Sequence, residues 1–143
     1  MALAAAVPLG TAWSIIPGMR LFRVNVVARN PQDEAKASPP IEALVDTGSE
    51  LSWLPAQQMQ AIGVTPRRRR TFVTATKEVV EREVGYAVLS AEDFETIDEV
   101  VFAERSDLCL LGVRTLEGFG VMVDNVGHRL VAVTTVAASS AAP

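Results

Sequence analysis

One short stretch of the sequence places an aspartate where chemistry is possible. The apolar run of residues 41–45 leads into Asp46, and the next three residues are Thr47, Gly48 and Ser49. An ionised carboxylate at the end of a buried strand is costly unless hydrogen bonds or neighbouring charges compensate it. Aspartate also accepts hydrogen bonds from its own turn. These four residues alone therefore leave two interpretations open, a turn residue or a functional carboxylate.

The residues around Asp46 argue against several other chemistries. An aspartyl-phosphate enzyme would need a second carboxylate two residues later or a lysine directly after the aspartate, where Gly48 and Thr47 stand. No further ligands cluster nearby in the sequence, so we predict no metal and no cofactor. The single cysteine and single histidine cannot assemble a zinc site or an internal disulfide. Cys109 lies in an apolar run, and we predict a buried, inert thiol there.

Two other polar residues late in the chain are candidates for a site. Asp124 is considered as a second carboxylate within the same chain, but Asn125 and Val126 follow it, without Thr-Gly and without a comparable apolar lead-in. This pattern predicts a turn residue. His128 adjoins a turn glycine, and we predict only a surface role for it.

The overall composition is that of one globular domain. The chain has 143 residues, 49% of them hydrophobic and 21% charged, with a formal net charge of -4. The charge argues against general nucleic-acid binding. Residues 1–17 are apolar, but Pro8, Gly10 and Pro17 interrupt them and the first positive charge is Arg20, so we predict neither a signal peptide nor a membrane span. We expect a cytoplasmic location.

The chain divides into a central domain and two flanking segments. We predict a poorly ordered apolar extension over 1–18, a domain over 19–136 and a low-complexity tail over 137–143. The extension is either a pro-segment or the product of a start codon placed too early, since Met19 directly precedes the first well-patterned strand.

Hydrophobic periodicity and turn residues predict the elements that would hold Asp46. In chain order they are a strand over 20–29, a loop over 30–40, a strand over 41–45, a short helix after Pro55 that ends near Gly63, a charged connection over 65–70, hairpin arms over 71–75 and 79–89, an acidic loop over 90–99, strands over 100–104 and 108–112, a short helix over 113–120 and a hairpin over 121–133. Seven or eight short strands in a chain of this length predict a mostly-β barrel or sandwich.

This order of elements resembles the retropepsin-like aspartic proteases over roughly residues 20–133. In that family two apolar residues precede Asp-Thr-Gly and Ser or Ala, as Leu44 and Val45 do here. Two apolar residues and a glycine later lead into a short helix, here Leu110, Leu111 and Gly112. The closing hairpin also resembles that of bacterial members. The resemblance implies a small closed acid-protease-like barrel with one or two short helices.

The resemblance also implies an activity, hydrolysis of peptide bonds in a peptide or protein substrate. Two paired carboxylates share one proton and activate a water molecule. The chain has one Asp-Thr-Gly, so the second must come from a second copy, which implies a homodimer with Asp46 at its twofold axis. Thr47 would hydrogen-bond across that axis, Gly48 would permit the tight turn, and Ser49 would hydrogen-bond the outer carboxylate oxygen.

The predicted hairpin differs from the family pattern at its tip. In the family this hairpin folds over substrate as a flap, and bacterial relatives often carry Ala, then Asp or Asn, then Gly. Here those positions hold Ala75, Thr76 and Lys77. A lysine reaches positive φ less readily than glycine, at a cost of roughly 1 kcal/mol. The altered tip favours a second hypothesis, a peptide-binding or dimerisation module without turnover. A third is an unrelated β-barrel in which Asp46 is only a turn residue.

Two further features have a structural and a functional interpretation each. The arginine run of residues 67–70 is either a solvated connection or a docking patch for an acidic partner, and the first is favoured. Trp53 either packs in the core or lines a substrate pocket, and core packing is favoured.

Overall fold

The structure, a computed structural model, describes residues 22–74 and 76–134. The predicted extension over 1–18, the predicted tail over 137–143 and flap residue Ala75 lie outside these described residues.

The described residues form ten strands and two short helices. These are β1 (Arg23–Asn30), β2 (Asp33–Ala37), β3 (Ile41–Val45), β4 (Ser52–Pro55), α1 (Ala56–Ala61), β5 (Arg68–Val73), β6 (Val79–Ala91), β7 (Phe94–Ala103), β8 (Leu110–Leu111), α2 (Val113–Phe119), β9 (Val121–Asp124) and β10 (Arg129–Ala132). The prediction of a mostly-β protein with one or two short helices is confirmed.

Eight of the strands form one sheet that curls on itself. Its order is β2-β1-β3-β8-β4-β7-β6-β5, and β1 also pairs with β6. The second pairing of β1, through Val27 to Arg29 on β1, closes the sheet into a partial ring. Strands β9 and β10 form a separate two-stranded sheet.

The short strand β8 lies between β3 and β4 and positions the turn after β3. It runs parallel to β3, with Leu110 opposite Leu44 and Leu111 opposite Val45. It runs antiparallel to β4, where Leu110 is opposite Trp53. Strands β3 and β8 are short and largely buried, which matches their near-continuous apolar sequence. The two apolar motifs of the sequence are therefore neighbours in space.

Two apolar clusters fill the molecule. The larger contains side chains from β1, β3, β7, both helices and the β9–β10 hairpin, among them Val26, Leu54, Met59, Phe102 and Leu116. The smaller lies on the opposite face of the sheet and consists of Leu51, Trp53, Val84, Val101, Ala103 and Leu110, with Leu44, Phe72 and Leu108 packed against it. Trp53 is buried there, 5.1 Å from the ring of Phe72, so it packs in the core as predicted, and it also lines a pocket.

Both helices lie where the sequence predicts them. Helix α1 follows Pro55, and Gly63 adopts a left-handed conformation shortly after the helix ends. Helix α2 follows Gly112 and ends at Gly120, which also adopts a left-handed conformation. A glycine at this position is a frequent end of a helix because it lacks the Cβ that disfavours positive φ. The predicted hairpin around residues 125–127 is also confirmed, as strands β9 and β10.

Three predicted loops are in fact strands. Residues 33–37 form the edge strand β2 and are exposed throughout, so no apolar alternation marks them in the sequence. The acidic stretch 90–99 contains a tight hairpin, in which Ala91 of β6 pairs with Phe94 of β7. Arginines 68–70 belong to β5 rather than to a connection. We call residues 68–84, formed by β5 and the paired part of β6, the flap hairpin.

The described helices are short. In the part of the chain that the structure describes, neither helix has the length and apolar character needed to cross a membrane.

Candidate active site

Asp46 lies at the end of β3, in the interior of the protein. Its backbone N–H donates to the carbonyl of Leu111 at 3.0 Å, which extends the β3–β8 pairing up to the aspartate itself. The residue is 2% exposed. A carboxylate is therefore held at the point where the two motifs of the sequence meet.

The two oxygens of the Asp46 carboxylate have different surroundings. Oδ1 accepts a hydrogen bond from the N–H of Gly48 at 2.9 Å. Oδ2 is buried and has no hydrogen-bond partner among the described residues. Buried polar atoms are almost always hydrogen-bonded, and an exception of this kind calls for an explanation. The unpartnered oxygen is the strongest indication that this carboxylate serves a purpose other than closing its turn.

Burial raises the pKa of Asp46 above its usual value. Loss of solvent is the larger cause, and the hydrogen bond from Gly48 partly opposes it. Burial disfavours the charged form because a low-dielectric interior solvates an anion poorly. A carboxyl group with a raised pKa keeps its proton to a higher pH than an ordinary aspartate does, which favours a role as general acid.

The second motif supports the Asp46 turn through direct backbone contacts. The N–H of Val113 donates to the carbonyl of Ser49 at 2.7 Å, and that of Arg114 donates to the carbonyl of Glu50 at 3.1 Å. A Cβ on Gly112 would lie 2.5 Å from the backbone carbonyl carbon and oxygen of Leu51. The turn and the start of α2 can approach this closely only because residue 112 is glycine.

A chain of buried hydroxyl groups continues this support. The N–H of Gly112 donates to Ser52 Oγ at 2.9 Å, and Ser52 Oγ lies 2.6 Å from Thr115 Oγ1. The hydroxyl of Thr115 donates to Asp98 Oδ2 at 3.1 Å. Ser52, Thr115 and Asp98 are all buried. This chain links α2 and β7 to the strand that follows the Asp46 turn.

Sequence reasoning missed Ser52, Thr115 and Asp98 as supporting residues. Ser52 lies between the apolar residues Leu51 and Trp53, and this was the available signal, since buried hydroxyls need partners. Thr115 follows Arg114, so its neighbours gave no such signal. Their mutual contact depends on the insertion of β8 between β3 and β4, which local pattern does not reveal.

The residues after Asp46 take individual positions that partly differ from expectation. Thr47 is exposed, and Gly48 is partly exposed. The hydroxyl of Ser49 donates to the carbonyl of Leu51 at 2.8 Å. It therefore stabilises its own turn, whereas the family resemblance implied a hydrogen bond to the Asp46 carboxylate.

Hydrogen bonds within the turn fix the tip of the flap hairpin. The N–H of Lys77 donates to the carbonyl of Thr74 at 2.9 Å, and that of Glu78 donates to the hydroxyl of Thr74 at 3.0 Å. That hydroxyl also lies 3.0 Å from Thr76 Oγ1. Lys77 adopts a φ of 68°, so the lysine keeps a left-handed conformation that favours glycine. Thr76 and Lys77 are exposed at this tip.

A pocket of about 270 Å³ separates the Asp46 turn from the flap hairpin. Residues 49–51 and Trp53 line one side, and residues 70–73 of β5 line the other. The pocket combines the apolar side chains of Leu51 and Phe72 with the charged side chains of Glu50 and Arg70. The pocket therefore adjoins the end of the Asp46 turn at Ser49, and Asp46 is not among the residues that line it.

The remaining candidates lie apart from Asp46. Asp124 accepts the N–H groups of Val126 and Gly127 at 3.0 and 2.9 Å, so the turn-residue prediction is confirmed. Cys109 was predicted to be buried, but it is only half-buried and lines a separate pocket of about 440 Å³. Burial, with a smaller contribution from the charge of Asp107, raises the pKa of the thiol, which keeps it protonated and unreactive.

No metal-binding arrangement is found in residues 22–74 and 76–134, where His, Cys, Asp and Glu side chains form no group of three that could hold an ion. In comparisons with known proteins, neither a protein-family model nor a curated protein matched the chain.

Proposed function

We propose that this protein is a homodimeric aspartic endopeptidase in which Asp46 of each protomer supplies one of two catalytic carboxylates. The observation that carries the proposal is the buried Asp46 carboxylate, whose Oδ2 has no partner among the described residues and whose pKa is raised. Oδ2 is closed off from solvent in the single chain, so the dimer would have to open the Asp46 turn before a second carboxyl group could donate a proton to Oδ2. The twofold axis of a dimer would bring it there from the same turn of the other copy.

The chemistry needs both carboxyl groups because they perform opposite tasks. Two carboxyl groups close together cannot both ionise, so the pair holds one proton. The ionised member accepts a proton from water as the water oxygen attacks the peptide carbonyl, while the protonated member donates its proton to the carbonyl oxygen. The carboxyl group that took the proton from water then donates it to the amine nitrogen, while the other carboxylate removes a proton from a hydroxyl of the tetrahedral species, so that the carbonyl reforms as the C–N bond breaks. The products are a carboxylic acid and an amine.

The surrounding fold supplies what such a reaction requires. The Asp46 turn is held by backbone hydrogen bonds from α2, which favours a fixed carboxylate position. The flap hairpin and the pocket of about 270 Å³ offer a site for an extended peptide beside that turn. In the proposed dimer Thr47, which is exposed in the protomer, would hydrogen-bond across the axis. The partial ring of strands would correspond to the acid-protease-like barrel.

Cleavage of a mixed peptide library, measured between mildly acidic and neutral pH, tests the proposal. The asparagine of Asp46→Asn has the size of aspartate and an oxygen that can still accept the N–H of Gly48, but it cannot ionise. We expect the substitution to lower cleavage roughly 10⁴-fold or more while the protein stays folded. Asp124→Asn is the matched control, because Asp124 closes its own turn and makes no hydrogen bond to the Asp46 carboxylate, and we expect it to cut at the wild-type rate. Persistent cleavage by the Asp46→Asn protein would refute the proposal.

A second candidate function is a peptide-binding or dimerisation module that does not turn over substrate. Two observations favour it, the charged and strained Lys77 at the flap tip and the hydroxyl of Ser49, which is directed to Leu51 rather than to the carboxylate. This candidate predicts that wild type and Asp46→Asn both sediment as dimers and bind peptides equally, with no cleavage by either.

A further inference from the structure

Glu99 is a buried carboxylate with an unusual number of arginine partners. It lies on β7, is 4% exposed, and contacts the guanidinium groups of Arg68, Arg70 and Arg114. Glutamate is rarely buried unless it is paired. Three arginines around one buried carboxylate therefore indicate a built structural centre rather than a chance surface contact.

Two of the three arginines belong to the flap hairpin. Arg68 donates through both Nε and Nη2 to Glu99 Oε2, at 3.1 and 2.9 Å. Arg70 donates through Nη1 to Oε1 at 3.3 Å. Both arginines lie on β5, so their side chains reach across β6 to meet Glu99 on β7. The carboxylate thus fastens the outer strand of the flap hairpin to the body of the sheet.

The third arginine belongs to the helix that supports the Asp46 turn. Arg114 Nη1 lies 3.7 Å from Glu99 Oε1, and its Nη2 lies 3.4 Å from Asp98 Oδ1. The backbone N–H of the same residue donates to the carbonyl of Glu50, four residues after Asp46. One residue of α2 therefore contacts both the Glu99 cluster and the turn that carries the candidate catalytic carboxylate.

We propose that Glu99 is a positioning residue that couples the flap hairpin to the Asp46 turn through Arg70 and Arg114. Both arginines contact Glu99 Oε1, Arg70 from the flap hairpin and Arg114 from α2. Removing the charge leaves three guanidinium groups without their common anion. Glu99 is buried, but the side chains of Arg68 and Arg114 are 59% and 44% exposed, so water screens part of this loss and its main effect is on the position of the three side chains. The consequence for catalysis rests on the proposed function, whereas the mechanical link can be tested without it.

Hydrogen exchange of the backbone amides tests the link directly. Glu99→Gln preserves the shape of the side chain and removes its charge. We expect the amides of residues 68–74 to exchange about ten-fold faster or more, because the flap hairpin opens more often. Glu81→Gln is the matched control: Glu81 pairs with Arg69 on the same hairpin, but its side chain is 61% exposed. We expect that variant to exchange at the wild-type rate, and equal effects of the two variants would overturn the proposal.

The variant Arg114→Met tests whether a change in α2 affects the flap hairpin through Glu99. The ion pairs of Arg114 are made with β7, so a purely local role would leave exchange in β5 unchanged. The proposal requires faster exchange in residues 68–74 in this variant. It also requires that Arg114→Met add little to Glu99→Gln in the double variant, because both break one chain of contacts. Independent, additive effects would show that no coupling passes through Glu99.

The catalytic consequence provides a separate readout. In a wild-type protein that cleaves peptides, we expect Glu99→Gln to lower kcat about ten- to hundred-fold, with Glu99→Asp recovering part of the loss. An unchanged kcat together with faster exchange would confine the link to flap mobility and remove Glu99 from the positioning of Asp46. If wild type does not cleave, the exchange results still decide the link, so the two proposals fail separately. If Glu99→Gln does not fold, the hydrogen-exchange test can be repeated with Arg70→Met as the test variant and Arg69→Met as its control.

Discussion

Two turns in this protein begin with an aspartate at the end of a strand, and their carboxylates are in opposite electrostatic situations. Asp46 follows β3 and accepts the N–H of Gly48 at 2.9 Å. Asp124 ends β9 and accepts the N–H of Val126, also two residues later, at 3.0 Å. The pKa of Asp46 is raised by burial, whereas hydrogen bonds from Gly127, Val126 and Arg129 lower that of Asp124.

The difference shows that the local turn does not determine what an aspartate can do. Each carboxylate accepts the same kind of backbone hydrogen bond, which favours the ionised form. At Asp124 a second oxygen is paired with Arg129 at 3.1 Å, and the side chain is partly exposed. At Asp46 the second oxygen is buried without a partner among the described residues. The surroundings, supplied by β8 and α2, make one aspartate a candidate acid and the other a turn residue.

The largest expected difference concerns two glycines: Gly112, which packs against the Asp46 turn, and Gly127, which lies in the Asp124 turn. Gly112→Ala would place a Cβ 2.5 Å from the backbone of Leu51, which cannot move without displacing the Asp46 turn. We expect a loss of about 3 kcal/mol in the free energy of unfolding. Gly127→Ala would bring a Cβ to 2.6 Å from Asp124 Oδ2, the end of a side chain that can rotate away. Rotation would break the exposed hydrogen bonds of Asp124, so urea unfolding should show a loss of only about 1 kcal/mol there. Similar losses at both sites would contradict this account.

A smaller difference is expected for the groups that hold each turn. Ser52→Ala removes the acceptor of the Gly112 N–H and the partner of Thr115. Buried groups left unsatisfied in this way cost about 1–3 kcal/mol. Arg129→Met removes an ion pair at the surface, where such pairs contribute little. Thermal unfolding of the two variants checks the contrast, which fails if the arginine variant is the less stable.

The elements around Asp46 could be predicted because their signals are local. The apolar strand of residues 41–45, the helix that follows Pro55 and the helix that follows Gly112 depend on neighbouring residues in sequence. The edge strand β2 could not be recognised, because both of its faces are exposed and its composition is that of a loop. Residues 90–99 were misread for a different reason. Acidic residues there suggested solvent, whereas Asp98 and Glu99 are buried against partners distant in sequence.

The sequence was enough to predict Asp46 as the candidate functional residue, but not the residues that hold its turn in place. Asp46 was identified from residue type, apolar lead-in and family resemblance. The chain from Gly112 through Ser52 to Thr115 depends on three elements meeting, and periodicity carries no information about such contacts. The hydroxyl of Ser49 shows the limit of an expectation taken from a resemblance, since a serine at the expected position can donate to a nearer carbonyl.

Replacing Asp46 by asparagine should stabilise the folded protein at neutral pH. The folded-state pKa of Asp46 is raised, so the protonated form is favoured on folding. The associated stability is full below the unfolded value of 3.8 and is lost as pH rises through the folded pKa. Asparagine removes this loss, and each pKa unit corresponds to about 1.4 kcal/mol. Urea unfolding at one protein concentration should show the gain at pH 7 and none near pH 3, and a gain that persists in acid would argue against burial as its cause.

The smallest expected difference between the two turns is the direction in which the pKa of each aspartate is shifted. Asp124 has a lowered pKa, so its hydrogen bonds stabilise the folded state above the unfolded value of 3.8, and this contribution is lost as pH falls through the folded pKa. Asp46 behaves in the opposite sense. Carbon-13 NMR of the carboxyl groups, assigned with Asp46→Asn and Asp124→Asn, should place the two midpoints on opposite sides of 3.8. In the proposed dimer the Asp46 signal should show two steps, because two copies share one proton. A single midpoint for Asp46 at or below that of Asp124 would mean that the buried carboxylate is stabilised as an anion, and it would then be unsuited to act as the acid.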